Sequence, residues 1–286
     1  MAEQIITIKN DELEVSISST GAEIQKVTGG NTDFLWNGDS KVWSGRSPLL
    51  FPICGGLKDD KFILEGKEYT LQKHGYIRFM EFETEYISEN EVTLLSKSNE
   101  YTKNQYPFDY EFRAKFSLCG NTLSVSYNIK NKSDKKMYFS VGAHEAYACP
   151  EGIEEYSVVF DKEVTLDSCV LNGNLLEDNT KRIIENSKEL PLKYEYFKVD
   201  ALVFKNIQAK KVCLVHNNSS KKVTLEFPRH DYFLLWTKPD AKYICLEPWC
   251  GIPDSVDSDY DITKKEGIIA LDNEIEYTHK ITFEEK

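Results

Sequence analysis

Three side chains in this 286-residue chain stand where an apolar run gives way to a turn, and all three can move protons. Glu247 closes the run Lys242-Tyr-Ile-Cys-Leu246 and is followed by Pro248 and Trp249. The run has the β-branched and aromatic content of a buried strand. Proline has no N–H to extend a ladder and biases its predecessor towards an extended backbone. A carboxylate fixed at such a corner beside an indole can serve as a general base, although a Glu at a turn is more often simply solvated. His74 precedes Gly75, and His144 follows Gly142-Ala143, each at the end of another predicted strand. Singly, each His is more often structural than functional. Together they raise the prospect that several strand ends converge on one cleft.

Other chemistries have weaker signatures. Two His and a carboxylate can bind zinc or iron, but no His-x-Glu or His-x-x-x-His spacing occurs, and neither metal nor cofactor is expected. There is no Gly-x-Ser-x-Gly elbow, Walker loop or Gly-x-Gly-x-x-Gly. Two-carboxylate glycosidase chemistry would need a second acid, for which Glu145 or Asp200 are the candidates.

Composition narrows the setting. Formal net charge is −12, which argues against a broad nucleic-acid or anionic-lipid surface. Only five Arg occur, so Arg46, embedded in the apolar, Pro- and Gly-broken stretch 43–56, is conspicuous. Seven scattered Cys without a Cys-x-x-Cys pair suggest free thiols in a reducing cytoplasm. No signal peptide or membrane-spanning segment is visible at the N-terminus.

The elements that must position these residues read as strands almost throughout. Phe112 to Leu118 and Leu123 to Ile129 alternate cleanly about Gly120-Asn121, a hairpin signal. Strands at roughly ten-residue spacing follow over 201–204, 212–216, 223–227, 232–236 and 243–246, which suits an antiparallel sandwich. Residues 161–196 are polar and weakly patterned, and Thr263–Glu266 reads as a short helix. With no composition shift to mark a linker, residues 1–286 read as one all-β domain, a large antiparallel β-sandwich with few short helices.

Several motifs recur in a familiar order: Gly21-Ala-Glu-Ile24, Arg46-Ser-Pro-Leu-Leu-Phe-Pro-Ile-Cys-Gly55, Lys73-His-Gly-Tyr-Ile-Arg78, Val141-Gly-Ala-His-Glu-Ala146, Asp200-Ala-Leu-Val-Phe204 and Cys245-Leu-Glu-Pro-Trp249. In this the chain resembles the galactose mutarotase-like proteins of the aldose 1-epimerase superfamily, and within it the LacX-type branch, over nearly its whole length. Glu145 stands where that family commonly has proline. The resemblance implies a β-supersandwich with an open cleft and no cofactor. It implies Glu247 as general base and His144 as general acid, with His74 beside them. Arg46 and Asp200 would hold sugar hydroxyls, and Trp249 would stack on the sugar's apolar face. The expected activity is interconversion of the anomers of a hexose. The alternatives are a mutarotase for hexose phosphates, for which Arg46, Lys58, Lys73 and Arg78 could meet the phosphate, and a non-catalytic sugar-binding protein. The expected partner is a monosaccharide rather than nucleic acid or membrane, bound by a monomer or homodimer.

Overall fold

A computed structural model describes residues 3–285. Thirteen strands form one large sheet: β1 (Glu83–Ile87), β2 (Glu91–Lys97), β3 (Tyr110–Cys119), β4 (Thr122–Asn131), β5 (Glu145–Ala148), β6 (Tyr156–Asn172), β7 (Leu175–Pro191), β8 (Leu202–Lys205), β9 (Lys211–His216), β10 (Lys222–Glu226), β11 (Tyr232–Trp236), β12 (Tyr243–Trp249) and β13 (Glu274–Glu284). Their spatial order is β5-β12-β11-β8-β6-β9-β10-β13-β4-β3-β2-β1, with β7 paired to β6. A four-stranded sheet from Ile5–Lys9, Glu14–Ser18, Ile24–Gly29 and Thr32–Asp33 packs over the same core. Pairing within the sheets is antiparallel, as expected of this all-β sandwich.

Side-chain alternation explains the layers. Along β3, Tyr110, Phe112, Ala114, Phe116 and Leu118 are buried in turn, and along β4 Leu123, Val125, Tyr127 and Ile129 answer them. These side chains meet Val15, Ile17 and Val27 of the smaller sheet in one core. The strands β8, β11 and β12 are apolar on both faces. Leu202, Phe204, Phe233, Leu235, Ile244 and Leu246 join the main core. Their neighbours Val203, Leu234, Tyr243, Cys245 and Trp249 look the other way, into two smaller clusters. That second face carries the site.

One local expectation is corrected, and one stretch left unassigned takes a definite form. Residues 263–266 form turns rather than a helix. The single α-helix among the described residues is Glu100–Gln105, begun by a capping box in which the Asn99 side chain accepts from Thr102 N–H and Thr102 Oγ1 accepts from Asn99 N–H. The polar stretch 161–196 is the long β6–β7 hairpin, with several register shifts and much of both faces exposed. Exposure on both faces removes the alternation by which a half-buried strand is recognised.

His230 is fully buried in the main core, against the rings of Phe227, Tyr277 and His279. Neither of its ring nitrogens has a hydrogen-bond partner. Burial, aided by the nearby His279 and Lys210, pushes its pKa well below 6.5. As pH falls below about 6.5, the unfolded chain gains a proton that the native chain refuses, so native stability declines. Urea denaturation from about pH 7 to about pH 5 should show wild type losing stability relative to His230→Phe, by up to about 1.4 kcal/mol per pH unit. A difference that stays flat with pH would contradict this account.

Candidate active site

Register brings the site together. Leu234 on β11 lies opposite Glu247 on β12, and Val203 on β8 lies opposite Leu234. On the other side of β12, Glu145 pairs with Leu246, so His144, one residue earlier, falls opposite Glu247. His144 Nε2 lies 3.4 Å from Glu247 Oε2. Both line a cleft of about 480 Å3, together with His74, Asp200 and Trp249. The fold therefore gathers five of the six side chains singled out from the sequence.

Glu247 is only 1% exposed, and Oε2 has no hydrogen-bond partner. Burial drives its pKa well above 4.5, against the pull of the Lys73 ammonium. His144, 8% exposed, is pushed down to about 3, again chiefly by burial. Its ring is enclosed by Trp43, Trp236 and His74, with centroids at 5.3, 5.5 and 5.7 Å. His74 is also held neutral by burial and by the proximity of His144. Its Nδ1 accepts from Gly55 N–H at 3.1 Å, which leaves the ring's proton on Nε2. Its backbone is in the left-handed region, at φ 67°, a conformation costly for a residue with a side chain.

Loop 46–56 is the bracket for both histidines. Arg46 C=O accepts from Ala146 N–H at 2.8 Å, and Leu50 exchanges two backbone hydrogen bonds with Gly142. At the loop's far end, Gly55 C=O accepts from His74 N–H at 2.8 Å. Gly142 must be glycine here: a Cβ would sit 2.5 Å from the Trp249 ring. That close approach seats the indole, whose Nε1 donates to Ala143 C=O at 3.0 Å.

Arg46 itself departs from expectation. Its guanidinium donates to Asn37 C=O at 2.9 Å and to Gln25 Oε1, and it does not line the cleft. The guanidinium in the cleft is that of Arg78, whose Nη2 donates to Lys73 C=O at 3.1 Å while Nε is unpartnered. Lys58 also turns away, donating to Ser258 C=O. Glu145 is on the opposite face of β5 from His144, buried in the core and 2.8 Å from His279 Nε2. It is therefore unavailable as a second acid in the cleft.

Glu23, Asn174 and Trp236 also line the cleft and escaped the sequence reading, whereas Lys73 was weighed only as a phosphate contact. Glu23 reaches the cleft while Oε1 accepts from the N–H groups of Arg46 and Ser47. Lys73 Nζ donates to Asn174 Oδ1 at 2.9 Å and lies 3.8 Å from Asp200 Oδ2. Asn174 is at the tip of the β6–β7 hairpin, which is tied down where Leu176 exchanges backbone hydrogen bonds with residues 254 and 256. Trp236 was recoverable in principle, since it shares the cleft face of β11 with Leu234. The contribution of a hairpin tip carries no local signal.

The His144–Glu247 pair also has a third neighbour. Cys245 shares its face of β12 with Glu247, and the possible ligand atoms of His144, Cys245 and Glu247 lie within 4.8 Å of one another. The set weighed from the sequence was two His and a carboxylate; the cluster that the fold brings together has Cys245 in place of His74. Among the described residues no helix is long and apolar enough to cross a membrane.

The fold and cleft have counterparts. The family model for aldose 1-epimerase matches residues 4–284. A plasmid-encoded LacX protein of Lactococcus lactis is 31% identical over 271 residues, covering 88% of this chain and 89% of that one. A galactose mutarotase related enzyme from Lactobacillus acidophilus superposes with a TM-score of 0.93 at 32% identity, over 98% of this chain and 97% of that one. A galactose mutarotase-like protein from Lactobacillus casei gives 0.94 at 24% identity, with 98% and 100% coverage, a likeness of fold. The chain belongs to the aldose 1-epimerase family.

Proposed function

We propose that the protein is an aldose 1-epimerase that interconverts the α and β anomers of a free hexose. The observation that carries this is the opposition of Glu247 and His144 across adjacent strands, 3.4 Å apart, inside the cleft. Ring opening needs a base at the anomeric hydroxyl and an acid at the ring oxygen. Rotation about C1–C2 and reclosure then yield the other anomer. Glu247 is the base and His144 the acid. With one proton between them, the pair always contains one donor and one acceptor, and reclosure returns each to its starting state. Nothing is consumed and no covalent intermediate forms.

The remaining cleft groups suit a neutral sugar. His74 Nε2–H can donate to a sugar oxygen. Asp200, Glu23, Asn174, Lys73 and Arg78 supply acceptors and donors for hydroxyls, and the rings of Trp43, Trp236 and Trp249 offer apolar surface for the sugar's C–H face. Of the four cations that could favour a phosphorylated hexose, Arg46 and Lys58 bond elsewhere. Lys73 lies beside Asp200, and Arg78 feels the charge of Glu23. This balance supports a free hexose, and the galactose mutarotase related relative makes galactose the first sugar to test. All seven cysteines are free, which supports a reducing, cytoplasmic setting.

Polarimetry on freshly dissolved α-galactose and α-glucose should show anomer exchange well above the buffer rate. Glu247→Gln should lower kcat by roughly 10²–10⁴-fold while the fold, followed by circular dichroism, persists. Tight sugar binding with no acceleration would instead identify a non-catalytic binding protein. Arg78→Met should raise KM for the hexose, whereas Arg46→Met should chiefly lower stability. Hexose 6-phosphate turned over with a higher kcat/KM than the free hexose would overturn the substrate assignment.

A further inference from the structure

Behind the acid–base pair stands a thiol that mutarotation does not use. Cys245 is completely buried, two residues before Glu247 on β12 and on the same face. The strand period of two and the β5–β12 register thus put a thiol, a carboxyl and an imidazole around one point. Their possible ligand atoms lie within 4.8 Å of one another. Tetrahedral zinc, with bonds of about 2.0–2.3 Å, separates neighbouring donors by roughly 3.3–3.8 Å. His144 Nε2 and Glu247 Oε2, at 3.4 Å, already meet that spacing, so only the thiol has to close in. Glu247 Oε2 is buried with no hydrogen-bond partner.

We propose that Cys245, His144 and Glu247 form a three-donor site for a soft divalent cation such as Zn²⁺ or Cd²⁺, and that its occupation switches the enzyme off. Thiolate, imidazole and carboxylate are a donor set that favours such ions over Mg²⁺ or Ca²⁺. The fourth coordination position faces the cleft and is open to water or a sugar hydroxyl. On binding, the thiol S–H bond breaks and the His144–Glu247 pair gives up the one proton it shares; both protons leave to solvent, metal–sulfur, metal–nitrogen and metal–oxygen bonds form, and no redox change occurs. The dication then balances the thiolate and carboxylate beside a neutral imidazole, so the buried site carries no net charge. Inhibition follows because the cation takes the lone pairs of both acid–base residues. The inhibitory consequence rests on the mutarotase assignment, but the binding does not.

The test is Cd²⁺ titration of the full chain, followed by isothermal titration calorimetry and by the ultraviolet charge-transfer band of a cadmium thiolate. Wild type should bind one ion with the band, and should release protons, seen as a heat that varies with the buffer's ionisation enthalpy. Cys245→Ser should abolish the band and weaken binding at least about tenfold. Cys119→Ser, which removes an exposed thiol, should leave both unchanged. If Cys245→Ser fails to fold, His144→Gln should weaken binding comparably. The proposal is overturned if Cys245→Ser or, in that case, His144→Gln binds like wild type, if Cys119→Ser alone loses the band, or if no band forms. In an active preparation Cd²⁺ should suppress anomer exchange and a chelator should restore it; undiminished exchange with the ion bound would overturn the switch. A bound ion in a protein that never exchanges anomers would sink the mutarotase assignment and leave the metal site standing.

Discussion

A carboxyl group removed from water, facing an imidazole on the next strand, is the constraint around which the molecule is arranged. Neither Glu247 nor His144 gains from burial by itself: desolvation disfavours the charged form of each. The cost is met by elements that are apolar on both faces. On β8, β11 and β12, one row of side chains fills the main core and the other builds a second, shallower layer beneath the cleft. Slipping such a strand by one residue would exchange its two rows, mismatching both packed layers and losing the opposition of Glu247, Leu234 and His144. Core stability and site geometry are thus set by the same register.

The rest of the site is held by backbone rather than by side-chain ion pairs. Loop 46–56 hydrogen-bonds to the strand bearing His144 at two points and to His74 at a third. It is apolar because it packs in the interior, and broken by Pro and Gly because it must bend there. Arg46 fits this role. Its carbonyl steadies β5, its N–H is fixed by Glu23, and its guanidinium fastens the loop to Asn37 and Gln25.

Much of this was legible beforehand, for stated reasons. Strand-end His and Glu beside Gly and Pro marked three of the residues that the fold gathers in the cleft, since few other patterns place ionisable groups at the edge of apolar runs. The β3–β4 hairpin was legible because one face is buried and the other solvated. Arg46 was misplaced because spacing identifies a motif but not the direction in which a loop side chain points; Arg78, in the neighbouring motif, is the one that reaches the cleft. Glu145 and His144 are adjacent, yet the pleat sends one to the core and the other to the cleft. The β6–β7 hairpin lacked alternation because it stands largely in solvent, so Asn174 at its tip had nothing to announce it. A helix of six residues is too short for a 3.6-residue pattern, and only its capping box marked it.

That hairpin has an implication for how such proteins diversify. Glu247, the proposed base, is on a strand buried along its whole length, and His144, the proposed acid, immediately precedes the largely buried β5, so substitution there carries a stability penalty. Asn174 comes instead from the tip of a ribbon whose outer length is solvent-exposed, and which is held near the cleft by the Lys73 contact, by packing of Cys169, Leu171 and Leu176, and by a short splice to residues 254–256. Lengthening, shortening or re-lettering the ribbon's tip would redraw one wall of the cleft and leave the proton-transfer pair untouched. The buried pair and the wall are separately heritable in this architecture, so selection can retune what enters the cleft without disturbing Glu247 and His144.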